Sequence, residues 1–338
     1  MMKYTISVVI PTLNRPEHLD RTLRSILEQT KSPEEIVIVD QSDDNRTKDL
    51  LIERMPAIEM KKIVLKYIWV KERSISHARN LGMSAAAGEI VIFVDDDIAL
   101  DKKYISEILR VYSDHPSAFG VQGCLVEKSP YWRGIGTKSI LLNSIRKAFL
   151  MTHWEKDKQT LLPSGDEVGA YPLTKTIGAG VINAGVSSFK KEVAKHFHYD
   201  ENLGGYSWGE DIDFSVHLTR YYPKSLYVTP FAIAIHDYAL SSRPTNKQFC
   251  YIVTAYELYS FCKNIPPSPR NWMAYFWKCC GNIVLTSLGL HRRVNRVRLF
   301  YVLQSYLWAL YHFGRLKSGG FDLYKELGER ARVPYRTD

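Results

Sequence analysis

The chain has no glycine-rich loop after its first apolar run, where Ser7-Val-Val-Ile passes into Pro11-Thr-Leu-Asn14. A dehydrogenase of the dinucleotide-binding kind needs G-x-G-x-x-G at that turn, and Gly178-Ala-Gly-Val-Ile-Asn-Ala-Gly185 has the wrong spacing and place to replace it. A nucleotidyltransferase would need a glycine-rich, basic phosphate loop there, which is also missing. Cysteine is sparse: the five, Cys124, Cys250, Cys262, Cys279 and Cys280, are odd in number and show no C-x-x-C or Cys/His metal spacing. A disulfide framework and a zinc site are therefore not encoded, and a reducing compartment is expected. The longest uncharged runs of the tail, Cys279 to Leu290 and Leu299 to Gly314, are twelve and sixteen residues. A spanning helix needs about 20. The N-terminus runs at once into a strand pattern without the regions of a signal peptide, so the chain is expected on the cytoplasmic side. Internal repeats and low-complexity segments are lacking too.

Charge is present but unevenly placed. Residues 243–338 hold fifteen Lys and Arg against five Asp and Glu, a balance of +10, whereas residues 1–242 hold thirty against thirty-one, or −1. The two parts are expected to face different partners. A length of 338 residues is enough for a domain over 1–242 and a separate helical region over 243–338.

From residue 5 short β-branched runs alternate with helical stretches: Ile6 to Ile10, a helix about 17–29, Glu35 to Val39, a helix about 46–54, Val64 to Val70, a helix about 75–86, then Ile90 to Val94. That rhythm predicts βαβ units and a largely parallel α/β sheet flanked by helices. Pro11 and Asp40 end strands, so Thr12, Asn14, Arg15 and Asp40 are expected on one sheet edge with Asp95, Asp96 and Asp97, which follow the fourth run directly. Three crowded carboxylates repel one another and become favourable chiefly with a divalent cation, magnesium or manganese for oxygen ligands. A solvated acidic turn capping a helix from about Asp101 is the plainer reading.

A helix about 102–113 and a strand about Phe119 to Cys124 lead into Glu127 to Leu173, a stretch with little strand pattern and one amphipathic segment, Ile140 to Trp154. Irregular insertions beside a ligand edge serve as lids or acceptor surfaces. Ile177 to Phe189 returns to sheet character. Gly209-Glu-Asp-Ile-Asp-Phe214 opens a helix to about Tyr221, and two β runs, Leu226 to Val228 and Phe231 to Ile235, lead to His236. Beyond Pro244 two helices hinged by His291-Arg-Arg-Val-Asn-Arg-Val-Arg298 are expected to lie in a bilayer interface, with Arg292, Arg293, Arg296 and Arg298 on anionic headgroups. An oligomer interface, or helices packed back on the first part, would have the same composition.

Ser7-Val-Val-Ile-Pro-Thr-Leu-Asn-Arg15, Ile38-Val-Asp-Gln-Ser42, Ser76-His-Ala-Arg-Asn-Leu-Gly82, Phe93-Val-Asp-Asp-Asp97 and Trp208-Gly-Glu-Asp-Ile-Asp213, in this order, resemble glycosyltransferase family 2. The resemblance covers roughly residues 5 to 238. It implies a GT-A fold, an inverting mechanism and a nucleotide-sugar donor, UDP-linked before GDP-linked. It implies that Asp40 reads the base, that Pro11, Thr12, Arg15 and Arg79 lie at the base and diphosphate, and that Asp95 touches the ribose. Asp96 supports the cluster, and Asp97 with His236 holds Mn2+ or Mg2+. Asp211 is the expected base, its carboxylate kept ionised by the helix N-terminus. Glu210 and Asp213 compete for that role, and Trp208 is expected to stack on a sugar. Helix or turn capping would account equally for Asp40, Glu210 and Asp211, a surface charge for Arg79, a hydrogen-bonded core histidine for His236, and core packing for Trp208.

The function expected is transfer of a sugar to a glycan or lipid-linked acceptor at the cytoplasmic face of a membrane. A scaffold that binds nucleotide sugars without turnover, or a sugar nucleotidyltransferase, is the alternative. Nucleic acid is not an expected partner, because the tail arginines interrupt runs of Leu, Phe, Trp and Tyr and do not line a hydrophilic groove. Oligomeric state is left open.

Overall fold

Strand β1 (Ile6–Thr12) is buried along its whole length. It belongs to a computed structural model that describes residues 4–127, 140–153, 155–169, 173–237, 244–288 and 293–321. Its neighbours β2 (Glu35–Asp40) and β4 (Ile90–Phe93) run parallel to it, and β3 (Val64–Trp69) lies outside β2. The crossovers are α1 (Pro16–Leu27), α2 (Arg46–Met60) and α3 (Ile75–Ala85). Pro16 starts α1 where no N–H partner is needed, and Leu19, Leu23 and Ile26 recur at helical spacing on its buried face. After β3 the chain crosses to the other side of β1, so the order β3-β2-β1-β4 reverses direction between β1 and β4. A crevice opens at such a reversal, beyond the carboxyl ends of the strands.

Next come β5 (Ile98–Leu100), α4 (Tyr104–Asp114), β6 (Gly120–Glu127), the helix Ile140–Ala148 and a small hairpin of β7 (Thr160–Leu161) and β8 (Glu167–Val168). β9 (Ile177–Ala179), β10 (Ser187–Lys190), the helix Glu210–Tyr221 and β11 (Leu226–His236) complete this part. The expected largely parallel sheet holds for the first four strands and for β6 with β11. It gives way at β10, which is antiparallel to β4 and β6, and at β5 and β9, both antiparallel to β11. β10 enters the sheet directly from a 3-10 turn, Ala184–Val186. The two runs expected before His236 form one strand, with a register shift between Val228 and Ile233.

Three long helices, Asn246–Asn264, Pro269–Ser287 and Arg293–Tyr311, and a short one, Phe313–Lys317, make up the described tail. The expectation of two helices missed the first, which starts at a capping box between Thr245 and Gln248. Its charged Lys247, Glu257 and Lys263 hide an otherwise apolar segment. Tyr256, Phe261, Tyr275, Ala309 and Leu316 form a tail core that takes in Leu203 from the first part. Full burial of a large side chain such as Phe261 or Leu316 stabilises by about 2 kcal/mol. Helix Asn246–Asn264 is also tied by polar contacts. Tyr256 Oη donates to Gly204 O at 2.7 Å, Lys263 Nζ to Asp200 at 2.6 Å and to Asp213 at 3.0 Å, and Asn264 Nδ2 to Asp213 at 3.0 Å. Among the described residues no helix is long and apolar enough to cross a membrane. Arg292 lies outside the described residues.

Candidate active site

The carboxyl ends of β1 and β4 stand side by side, Val9 opposite Phe93. Thr12 therefore meets the aspartate run, and its Oγ1 donates to Asp96 Oδ2 at 2.7 Å. Arg15, at the start of α1, reaches Asp96 at 3.2 Å and Asp97 at 3.6 Å. The turn is pinned from beneath by Thr22, whose hydroxyl lies 2.8 Å from the carbonyls of Asp96 and Ile98. Asp96 is 4% exposed, and burial, with Asp97 beside it, pushes its carboxyl up to about 6 against the pull of Arg15 and Thr12. Asp97 faces His236 from the end of β11, with Nε2 to Oδ1 at 3.3 Å.

Asp95 turns toward α3. Arg79 Nη2 donates to it at 3.0 Å, while Arg79 Nη1 donates to Glu210 at 2.7 Å. Arg79 is 3% exposed, so burial works against its charge, but the two carboxylates hold its proton more tightly than usual. Behind Asp95 stands Gly185, whose carbonyl accepts the Asp95 N–H at 3.2 Å. A Cβ on Gly185 would overlap the Asp95 carboxylate. Glu210 starts its helix after Gly209, which holds φ of 87°, a conformation that favours glycine, and meets Arg79 from there.

These side chains line a cavity of about 270 Å3. Pro11, Thr12, Arg15, Arg79, Asp95, Asp96, Asp97, Glu210 and His236 all reach it. Asp40, Trp208 and Asp211 do not. Asp40 is fully buried one strand away, accepting from Ser42 N–H at 2.9 Å and from Tyr67 Oη at 2.8 Å. Trp208 is 38% exposed at the rim, edge-on to Phe249 at 5.6 Å between centroids. Asp213 is excluded from base duty, since it is fully buried and committed to Lys263 and Asn264.

Asp211 corrects one expectation. The helix N-terminus does not dominate: burial, then Glu210 and Glu167, hold its carboxyl well above the usual carboxylate range, with Arg79 opposing. Glu167, on β8, was not foreseen; burial and then Glu210 push it up to about 7. It comes from the irregular stretch where no periodicity marks a site. Arg73 was missed as well, a cavity residue ion-paired to Asp43. Its signal was its place just before the Ser74 cap of α3, on the same sheet edge.

Among the described residues no three His, Cys, Asp or Glu side chains gather as a metal cage. Asp97 and His236 fit a looser arrangement, one carboxylate and one imidazole converging at the cavity. Magnesium and manganese take a few protein donors and complete their shell with substrate phosphate and water.

The model of glycosyl transferase family 2 matches residues 7–165. Validoxylamine A glucosyltransferase of Streptomyces hygroscopicus subsp. limoneus is 29% identical over 127 residues, 37% of this chain and 27% of that one. The chain thus spans less than a third of that relative's length. Among solved structures, GalNAc-T7 with UDP, GalNAc and Mn2+ superposes with a TM-score of 0.55 at 17% identity, covering 82% of this chain and 54% of the other. TarS 1-349 of S. aureus in complex with UDP-GlcNAc gives 0.54 at 14% identity, covering 97% and 91%. Both likenesses concern the fold, which is of the GT-A type.

Proposed function

We propose that the chain, whose residues 7–165 match the model of glycosyl transferase family 2, acts as a member of that family and moves a sugar from a nucleotide-diphosphate donor to an acceptor hydroxyl with inversion. One observation carries this reading: buried Arg79 holds Asp95 and Glu210 at once, so the nucleotide-side and acceptor-side motifs share one cavity. The acceptor oxygen attacks the anomeric carbon as the bond to the diphosphate breaks, and its proton passes to Asp211, which follows the cavity residue Glu210 and would have to turn toward the cavity to take it. A carboxyl held above its ordinary range is the better proton acceptor near neutral pH. Arg15 faces the charge that develops on the leaving diphosphate. Asp97 and His236 would hold Mn2+ or Mg2+, which supplies further charge neutralisation there. The donor favoured is UDP-linked. Asp40, fully buried with Ser42 N–H and Tyr67 Oη on its two oxygens, would have to be uncovered for a base N–H to reach it.

The proposed acceptor is lipid-linked or a surface glycan, at the cytoplasmic face of a membrane. Support comes from the outer faces of the last two long helices, where Phe276, Trp277, Phe300, Leu303, Leu307 and Leu310 are exposed. Exposed Arg296, Arg315 and Lys317 lie on the same helices or just beyond them, suited to anionic headgroups.

The test is calorimetric titration with UDP and GDP, each with and without Mn2+, beside Asp97→Ala. Metal-dependent binding of one nucleotide, weakened at least about tenfold in the variant, is expected. Equal affinity with and without metal in both proteins would sink the metal-assisted reading. A protein that binds UDP-sugar but never releases UDP would favour the scaffold.

A further inference from the structure

Asn80 follows Arg79 on α3, and its side chain pairs with a peptide group. Its Nδ2 donates to Tyr199 O at 2.9 Å, and its Oδ1 accepts from Tyr199 N–H at 2.8 Å. Two bonds to one residue seat the Tyr199 backbone against the helix that carries Arg79. The ring, 2% exposed, then lies against that arginine, with the Arg79 guanidinium carbon 5.6 Å from the ring centroid. A cation is attracted to an aromatic face, most strongly where both are out of water.

The same ring touches the two elements that Arg79 joins. It stacks on Phe214, 4.4 Å between centroids at 16°, in the helix that starts at Glu210. It meets Phe93 edge-on at 5.8 Å, and Phe93 ends β4 two residues before Asp95. The hydrogen bonds to Asp95 at 3.0 Å and Glu210 at 2.7 Å fix the two Nη ends of the guanidinium, and the ring limits its tilt about the line between them. Among the described residues the Tyr199 hydroxyl has no hydrogen-bond partner, so the holding falls to the ring. We propose that Tyr199, seated by Asn80, is a positioning residue for the donor site: its ring keeps the Arg79 guanidinium at the angle at which Asp95 and Glu210 are gripped together. The inference rests on Asp95 facing the donor nucleotide.

The experiment is calorimetric titration of the full chain with UDP and GDP, Mn2+ present, in the wild type, Tyr199→Phe, Tyr199→Leu and Phe189→Leu. Phenylalanine keeps the aromatic face and gives up only an unpartnered hydroxyl, so nucleotide affinity within about twofold of the wild type and an unchanged melting temperature are expected. Leucine removes the face, and affinity should fall about tenfold. Phe189 packs on the same Phe93 and Phe214, at 6.2 and 4.9 Å between centroids, and controls for lost core packing. Phe189→Leu should melt lower than the wild type and bind nucleotide as the wild type does. Asn80→Ala unseats the ring with the aromatic core intact, should weaken binding at least about threefold, and carries the test if Tyr199→Leu does not fold. Unchanged affinity in Tyr199→Leu, or an equal loss in Phe189→Leu, overturns the role of Tyr199, and unchanged affinity in Asn80→Ala overturns its seating. Failure of the donor-site reading shows separately, as full affinity in Asp95→Asn or as no nucleotide binding by the wild type, and either result takes the inference with it.

Discussion

Asp211 and Asp213 lie two residues apart on one helix and serve opposite sides of it. Asp213 is paired with Lys263 and accepts a hydrogen bond from Asn264, whereas Asp211 feels Glu210 and Glu167. Asp211→Asn should cut release of UDP from UDP-glucose by at least about 100-fold while leaving UDP affinity within about twofold. Asp213→Asn should behave in reverse. Weakening its charge-assisted bonds to Lys263 lowers stability by about 1–3 kcal/mol, read in a thermal melt, with activity per folded molecule retained. The sequence showed that the Glu-Asp-Ile-Asp run starts a helix. It could not show that Asp213 is committed to an ion pair, because its partners, Lys263 and Asn264, lie some fifty positions on. The aspartates 95 to 97 were legible because a strand delivers them together. The double grip of Arg79 was not, since Asp95 and Glu210 meet only in the fold.

At the scale of elements, the close approach of the 3-10 turn Ala184–Val186 to the aspartates makes a prediction of its own. Gly185→Ala should push the Asp95 carboxylate off Arg79, an overpacking that costs about 1–3 kcal/mol. UDP affinity should fall roughly tenfold in calorimetry if Asp95 touches the nucleotide, and unchanged affinity would remove Asp95 from the donor site. The first four strands and their helices could be read from periodicity, because β1, β2 and β4 are whole apolar runs buried along their length and the half-buried β3 is rich in apolar and aromatic residues. β5 could not: Ile98-Ala-Leu100 is three residues long and follows the acids directly. β11 was read as two pieces because Thr229 and Pro230 interrupt its pairing with β6. The direction of β10 was hidden for another reason, since parallel and antiparallel strands look alike in a short β-branched run.

Across the whole molecule, two helices present apolar surface outward while a third is built into the sheet part. Phe300 and Leu307 are 60% and 69% exposed, so charging them should leave the fold intact. Phe300→Asp with Leu307→Asp is expected to reduce flotation with anionic vesicles by at least about tenfold at an unchanged melting temperature. Equal flotation of both proteins would assign that face to another partner. Deleting everything after Pro244 is a poorer experiment, because it strips Leu203 of its cover and Asp213 of its partners. The same joint constrains recombination. A chimera cut at the change in composition near Pro244 would separate Asp213 from Lys263 and Asn264 and would arrive misassembled. One cut after Asn264 keeps that joint but strips Asp166 and Glu257 of Lys278 and Phe261 of Tyr275, so the later helices exchange only together with the surfaces they cover.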